Sequence, residues 1–504
     1  MHTTPGGTET GMAQKVVSLA ELGLVAQAGR EARVTDLTLD SRAVRDGTLF
    51  AALTGSRMHG AEFIGPALRM GAAAILTDAE GARIAAEFLL PSKAALIIAD
   101  DPREALARAA ALWFHAQPEV MVAVTGTNGK TSVATFARQI WSALDQPAIN
   151  IGTTGIEGAW TAPSSHTTPD QIVLHRMLAA AAQAGITHAA MEASSHGLDQ
   201  RRLDGVRLRA AGFTNLTQDH LDYHHTMEAY FEAKAALFTR ILPPDGMAVI
   251  NADAPGGAEM LARVQGRGLS TITIGKGPDA TLRITGQRFD ATGQDLRFEH
   301  AGKAHQIRLD LIGGFQAENV LVAAGLCIAS GTPSCDVFGV LPRLTGVRGR
   351  MQMVARRANG ASVFVDYAHT PDAIATALQA LRPHVLGRIV VVFGAGGDRD
   401  TTKRPLMGAA ARSHADVLYV TDDNPRTEDP AAIRAAIMTA CPEANEVGDR
   451  AEAILRGVDA VGPGDALLIA GKGHETGQIV GGDIFPFDDA EQASIAVAAL
   501  DGLI

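Results

Sequence analysis

"VMVAVTGTNGKTSVATFARQIWSAL", residues 120–144, decides the fold. The apolar run 120–124 predicts a buried strand, and the stretch after Lys130 predicts a helix. Between them lies "TGTNGKTS" (125–132), a glycine-rich turn that ends in Lys-Thr. Strand, glycine loop and helix in that order make a phosphate cradle. The backbone of Gly126, Thr127, Asn128, Gly129 and Ser132 and the helix N-terminus face the anion. Lys130 would neutralise the outer phosphates, and the Thr131 hydroxyl would hold Mg²⁺. Strict spacing needs glycine at 124; Val124 stands there, so the loop is the shorter GxxGKT form. A chance Lys-Thr in a glycine turn would lack the flanking strand and helix. The loop alone does not choose among motors, switches, kinases and ligases.

Working outward, 504 residues are too many for one core, and two to four domains are expected. Apolar residues make up 46% of the chain, aromatic ones only 5%, and there are 53 glycines, which suits an Ala/Gly-rich α/β protein with many tight turns. A net charge of −11 argues against a general nucleic-acid binder but leaves room for a local basic pocket. Cys327, Cys335 and Cys441 have no CxxC spacing, so neither a disulfide framework nor a zinc site is expected and a reducing compartment is. No apolar run is long enough to span a bilayer. The polar start "MHTTPGGTETG" has no apolar core of a secretory signal. A loose tail over 1–14 and a cytoplasmic location are therefore expected.

Three α/β units are expected: 15–117, 118–345 and 346–504. In the first, "TLFAAL" (48–53), "AAAILT" (72–77) and "AALIIAD" (94–100) read as strands, and 102–118 as a helix stopped near Pro118. In the second, strands are expected at 188–193, 210–216 and 247–251, an antiparallel pair at "LRITGQRF" and "DLRFEH", and a helix at 313–331. After "LPRLTGVRGRMQMV" come "SVFVDYAH" (362–369), "RIVVVFGAGGDRD" (388–400), "DVLYVTDDNPR" (416–426) and "DALLIAGKGHE" (465–475). Helical stretches between these strands point to a doubly wound parallel sheet.

Glu192, in "MEASSHGLDQRR", stands at a strand end, where a carboxylate can serve Mg²⁺. "NLTQDHLDYHHTMEAYFEAKAALF" (215–238) gathers Asp219, His220, Asp222, His224 and His225 in one loop; a solvated loop is the competing reading, and HxxxHH lacks a fourth zinc ligand. On pattern alone, Lys234 is an ordinary surface lysine on a helix.

In the third unit, "GDRD", "DDNPR" and "GKGHE" follow strands, and parallel strand ends share one edge. Arg399, Asp423, Asn424, Arg426 and Glu475 are expected in one pocket of mixed sign, suited to a zwitterion. Gly394, Gly396 and Gly397 do not make a dinucleotide fingerprint, because Arg399 stands where its last glycine belongs.

The ordered set "TGTNGKTS", "TTPD" (167–170), "MEASSHGLDQRR", "DHLDYH", "GGFQAENVLVAA", "VDYAHTPD" (365–372), "GAGGDRDTTKRP" and "GKGHE" resembles the Mur ligase family along nearly the whole chain. The resemblance implies a monomeric three-domain enzyme of peptidoglycan precursor synthesis that spends ATP with Mg²⁺. It implies that ATP phosphorylates the D-glutamyl carboxylate of UDP-N-acetylmuramoyl-L-alanyl-D-glutamate, and that an amine then attacks the acyl phosphate. Under it Lys130, Glu192, His220 and Lys234 are catalytic, Lys234 as a carbamate on Nζ. Thr131, Glu192, His220 and Lys234 would hold metal, and Asn319, Arg350 and Asp366 would touch nucleotide, with His369 nearby. Ser41 and His59 would meet the uridine part; Thr167, Thr168, Ser194, Gln200 and Arg202 would meet the sugar-peptide. DNPR marks the members that add meso-2,6-diaminopimelate, held by Arg399, Asp423, Asn424, Pro425, Arg426, Gly471 and Glu475. Arg426 can pair bidentately with the second carboxylate, which L-lysine lacks. Ligation of L-lysine, or a folylpolyglutamate synthase-like reaction, is the alternative. Gln316, Arg348 and Gln352 depart from the family pattern, which more often has asparagine at the first and has proline and glutamate at the others.

Overall fold

The computed structural model describes residues 15–27, 30–55, 58–164 and 166–503; the expected 1–14 tail lies outside them. No helix among the described residues is long and apolar enough to cross a membrane.

Near the N-terminus, Asp36–Thr38, Thr48–Ala51, Ala74–Thr77 and Ala95–Ile98 pair in parallel, in that order. The helix Pro102–Phe114 packs behind them. Asp101 caps its start by accepting from the Arg103 and Glu104 N–H groups at 3.1 and 3.0 Å. It stops earlier than the Pro118 expectation, because His115 takes φ 59°, a left-handed turn that ends the helical ladder.

The central sheet has ten strands. Its middle is parallel: Val120–Thr125 lies between His188–Glu192 and Ala210–Phe213. Beyond Ala210–Phe213 follow Met247–Asn251 and Ser270–Gly275, and beyond His188–Glu192 lies Ala148–Gly152, all parallel. Leu282–Asp290 and Gly293–His300 form the expected antiparallel pair at one edge, extended by Lys303–Leu309, and Gly155–Gly158 closes the other edge antiparallel. The phosphate-loop helix Lys130–Ala143 and the helix Phe315–Ala329 bury one face; Gln171–Gln183 and Met227–Ala236 lie on the other. Strands buried on both faces have no reason to alternate, and so they read as continuous apolar runs. The run 210–216 gives a strand only to Phe213. Thr214 and Asn215 turn aside to hold the phosphate loop: Thr214 Oγ1 donates to Asn128 O at 2.6 Å, and Thr127 N–H donates to Asn215 O at 2.9 Å.

The third sheet runs Ser362–Asp366, Ala466–Ala470, Ile389–Phe393, Val417–Val420 and Asn445–Glu446, all parallel. An antiparallel strand Gln352–Arg356 borders it. A hairpin, Gly477–Val480 with Asp483–Pro486, stands beside the "DDNPR" loop, tied to it by Arg426 N–H donating to Ile479 O at 3.1 Å.

Candidate active site

Three central-sheet strands end together: Val120–Thr125 in the phosphate loop, His188–Glu192 in Ser194, and Ala210–Phe213 in Asn215. Ligands bind at such an edge, where crossovers leave to opposite sides. A cleft of about 580 Å³ opens there, lined by Thr127–Ser132, Glu192, His220 and Lys234 of the central unit and by Arg350, Asp366 and His369 of the third.

The loop is built for close approach. Gly129 has φ 87°, and a Cβ there would lie 2.5 Å from Asn319 Oδ1, so no other residue fits. Asn128 N–H donates to Asn215 Oδ1 at 3.0 Å. Lys130 Nζ donates to the Gly126 and Thr127 carbonyls at 2.9 and 2.8 Å. Burial lowers its pKa, Glu192 and Asp219 oppose that, and Arg350 adds to it.

Lys234 is not on the surface. It is 1% exposed, and its Nζ donates at 2.8 Å to the same Gly126 carbonyl that Lys130 uses. Its ammonium sits 4.2 Å from the centre of the Tyr230 ring. Burial first, and then the Lys130 charge, push its pKa well below the ordinary lysine value. The pattern of the helix could not reveal this, because the side that faces the loop is decided by the neighbouring strand ends.

Glu192 is buried. Its Oε1 accepts from Thr153 N–H at 2.9 Å, and Thr153 Oγ1 lies 3.0 Å from Thr167 Oγ1. His220 takes φ 53° and sets its ring 4.8 Å from that of His196 and 6.1 Å from Tyr230. Burial lowers its pKa, with Asp219 opposing. His196, Tyr223 and His224 meet in edge-on and tilted ring contacts, and His220 joins them through His196, so the loop is packed at His224 while His220, Asp222 and His225 stay exposed.

From the third unit, Arg350 lies over the Tyr367 ring at 4.7 Å. Asp366 accepts from Met351 and Ala368 N–H groups at 2.7 and 2.8 Å; burial raises its carboxyl pKa and Arg350 opposes. The three departures have local partners. Gln316 Oε1 accepts from Asn319 Nδ2 at 3.2 Å, Arg348 pairs with Asp488, and Gln352 Oε1 accepts from Gly349 N–H at 2.8 Å.

The cleft gathers Thr167 and Ser194 but not Thr168, Gln200 or Arg202, which form a frame behind them. Arg202 Nη1 donates to Thr168 O at 2.7 Å and Nη2 to Gln200 Oε1 at 2.8 Å; Ser194 Oγ donates to Thr168 Oγ1 at 3.0 Å. Ser41 opens the short turn Ser41–Ala43 and His59 precedes Gly60–Phe63, both in the N-terminal unit and outside the cleft lining. His59 Nδ1 caps a turn by accepting from Ala61 N–H at 3.0 Å, and Nε2 meets Asp78 Oδ1 at 3.1 Å.

The strand-end set of the third unit lies outside the cleft too. Asn424 and Glu475 bond directly, Nδ2 to Oε2 at 2.9 Å. A Cβ on Gly471 would meet Asp423 Oδ2 at 2.5 Å. Arg426, at φ 51°, donates from Nη1 to Gly397 O at 2.7 Å, and Arg399 is exposed. The "GAGG" glycines exist for this loop, not for a dinucleotide: a Cβ on Gly397 would lie 1.9 Å from Pro425 O. Tyr367 lines the cleft and sets its ring 5.1 Å from that of His474 in "GKGHE", so it links cleft and strand ends; burial raises its phenol pKa, helped by Glu475 and Asp423 and opposed by Arg350 and Arg399. Missed in the sequence were Thr153, Tyr230, Tyr367 and Lys472. For Lys472, inside "GKGHE", the one signal was its place a single glycine past a wholly apolar strand.

Whether ATP and Mg²⁺ fit can be judged from the donors. Ser195 Oγ, Thr217 Oγ1 and Asn251 Oδ1 are buried polar atoms of the cleft with no partner, a cost that a polar ligand would relieve. Among the described residues no group of three or more His, Cys, Asp or Glu could hold a metal by itself. Mg²⁺ does not need one: it keeps waters, takes phosphate oxygens and asks the protein for one or two ligands. Glu192 and Thr131 meet that demand, and the residues fit.

A phosphate loop whose cleft is completed by a second α/β unit marks a nucleotide-using enzyme of the P-loop class. Three family descriptions match in order: "Mur ligase family, catalytic domain" over 33–114, "Mur ligase middle domain" over 124–327, and "Mur ligase, glutamate ligase domain" over 349–473. The chain belongs to the Mur ligase family, ATP-dependent ligases that form ADP. It is 51% identical over 472 residues to the UDP-N-acetylmuramoyl-L-alanyl-D-glutamate--2,6-diaminopimelate ligase of Bradyrhizobium diazoefficiens, covering 92% of this chain and 95% of that one. It is 49% identical to the protein of the same name from Caulobacter vibrioides, covering 93% and 96%. A solved structure of a ligase of that name is 34% identical with a TM-score of 0.69, covering 96% of this chain and 99% of that one.

Proposed function

We propose that the chain joins meso-2,6-diaminopimelate to the D-glutamyl carboxylate of UDP-N-acetylmuramoyl-L-alanyl-D-glutamate, at the expense of ATP, in cytoplasmic peptidoglycan precursor synthesis. One observation carries this reading: the phosphate loop meets Arg350 and Asp366 of the third unit across one cleft. Relatives about half identical over nearly the whole chain carry this reaction in their names.

A carboxylate is a poor electrophile. Transfer of the terminal phosphoryl group of ATP to it makes an acyl phosphate and releases ADP. The amine then attacks the carbonyl carbon, the C–N bond forms, phosphate leaves with the C–O bond, and the nitrogen loses a proton. Lys130 exchanges its two loop carbonyls for phosphoryl oxygens and holds their charge. Mg²⁺, when bound, would offset charge on the same oxygens; Thr131 would hold one ion, and Glu192 and His220, helped by Lys234 as a carbamate, would hold or position a second. The lowered pKa of Lys234 supports its reading as a carbamate, because a neutral amine is the form that adds CO₂. Asn319, steadied by Gln316, would meet the adenine. Ser41 and His59 would meet the uridine part, and Thr167, Thr168, Ser194, Gln200 and Arg202 the sugar-peptide. Arg399, Asp423, Asn424, Pro425, Arg426, Gly471 and Glu475 would hold the amino acid, with Arg426 releasing Gly397 O for the distal carboxylate. The unit boundaries 15–117, 118–345 and 346–504 and a monomeric state complete the reading.

The test is phosphate release by purified protein with ATP, Mg²⁺ and the UDP-dipeptide over a panel of amines. Fast turnover with meso-diaminopimelate is expected. Faster turnover with L-lysine, or with glutamate as in a folylpolyglutamate synthase, overturns the choice of amine.

A further inference from the structure

Behind the third unit's strand ends lies a cation that the proposed reaction does not use. Lys472 follows the buried strand Ala466–Ala470, and its side chain is 0% exposed. An ammonium withdrawn from water is costly unless it is paired and hydrogen-bonded. Its Nζ donates to Asn424 Oδ1 at 3.0 Å and to Glu475 Oε2 at 3.2 Å. Both partners belong to the pocket assigned above to the amino acid, and this inference rests on that assignment.

An ammonium donates hydrogen bonds and cannot accept them. Lys472 therefore admits only one orientation of the Asn424 amide, oxygen toward the lysine, and Ile479 N–H reinforces it by donating to the same oxygen at 2.9 Å. The amide nitrogen must then face the other way. One of its N–H groups is taken by Glu475 Oε2 at 2.9 Å, so that carboxylate oxygen receives both Asn424 and Lys472. What this leaves for a ligand is the second amide N–H and the other carboxylate oxygen of Glu475. A donor beside an anionic acceptor matches the carboxylate and ammonium at one end of an amino acid.

We propose that Lys472 is a positioning residue: it fixes the Asn424 amide and the Glu475 carboxylate so that one donor and one acceptor face the incoming amino acid. It lies outside the nucleotide cleft, so its effect is confined to the amine substrate.

The experiment is a double-mutant cycle of Lys472→Met with Asn424→Ala, reading KM for each substrate. Lys472→Met raises KM for the amine at least tenfold and leaves KM for ATP within twofold. In the Asn424→Ala background the same change adds less than threefold, and Lys472→Gln, which keeps an N–H donor group, recovers part of the loss. A full tenfold effect in both backgrounds, or equal losses for ATP and amine, overturns the proposal. Should Lys472→Met not fold, Lys472→Gln carries the cycle; failure of both to give folded protein overturns positioning in favour of a purely structural role. If the panel finds an amine other than diaminopimelate, the cycle is run with that amine, so the two readings fail separately.

Discussion

The phosphate loop and the "DDNPR" loop both follow parallel strands, yet they are built on opposite plans. The phosphate loop presents backbone, and Gly126, Gly129 and the helix N-terminus make its shape. Neighbours such as Thr214 and Asn215 only hold it still. The "DDNPR" loop presents side chains, and each is set by another loop: Asn424 by Lys472, Glu475 and Ile479, Arg426 by Gly397. A backbone cradle reads any phosphate. A side-chain frame can read the difference between two amines. Under the proposed function, one molecule thus keeps a general nucleotide site and a selective amine site on separate sheets.

The largest expected effect tests the nucleotide side. Lys234→Ala should lower kcat by roughly 100- to 1000-fold, the range for removing an electrostatic group at the reacting centre. Short carboxylic acids should restore part of the rate if a carbamate acts there; full activity without them removes the role. Next comes the amine side. Arg426→Ala should cost about 3 kcal/mol, or roughly 100-fold, in kcat/KM for diaminopimelate, with KM for ATP unchanged. Equal losses for both substrates would erase the contrast between the two sites.

Gly397→Ala sharpens the contrast further. Its methyl would strike Pro425 O, so the loop must shift, at about 1–3 kcal/mol. KM for the amine should rise about tenfold while nucleotide binding, read by fluorescence of a labelled ADP, stays put. The smallest effect lies at the contact between the two units. His384 accepts from Gly313 N–H at 3.0 Å through Nε2, and its Nδ1 donates to Asp290 O at 2.6 Å, an arrangement only the neutral ring can make. Burial lowers its pKa, with Asp290 opposing and Arg308 assisting. A depressed pKa means that this contribution is complete above the ordinary histidine value and is lost as pH falls through the folded value. Thermal unfolding should therefore show an acid-side loss of about 1 kcal/mol that His384→Gln flattens. An unchanged acid limb in that variant would assign the loss elsewhere.

Much of this was legible in the residues. The strand runs at 120–124, 189–191 and 389–393 are apolar throughout because helices cover both faces, and "TGTNGKTS" names its own geometry. The helix end at His115 and the short strand at Phe213 were not legible, since a left-handed turn and a loop clasp decided them. Lys234 and Lys472 show the same limit. Each is polar in pattern and buried in fact.

The sequence by itself determined the α/β class, the phosphate cradle and the order of the motifs, because these depend on local periodicity and on glycine. Only the tertiary structure decided that Lys130 and Lys234 share the Gly126 carbonyl, that Lys472 lies beneath Asn424 and Glu475, and that Arg350 reaches the central cleft. The reason is physical. Burial and pairing of a charge depend on groups distant in the chain, and only the meeting of strand ends brings those groups within reach.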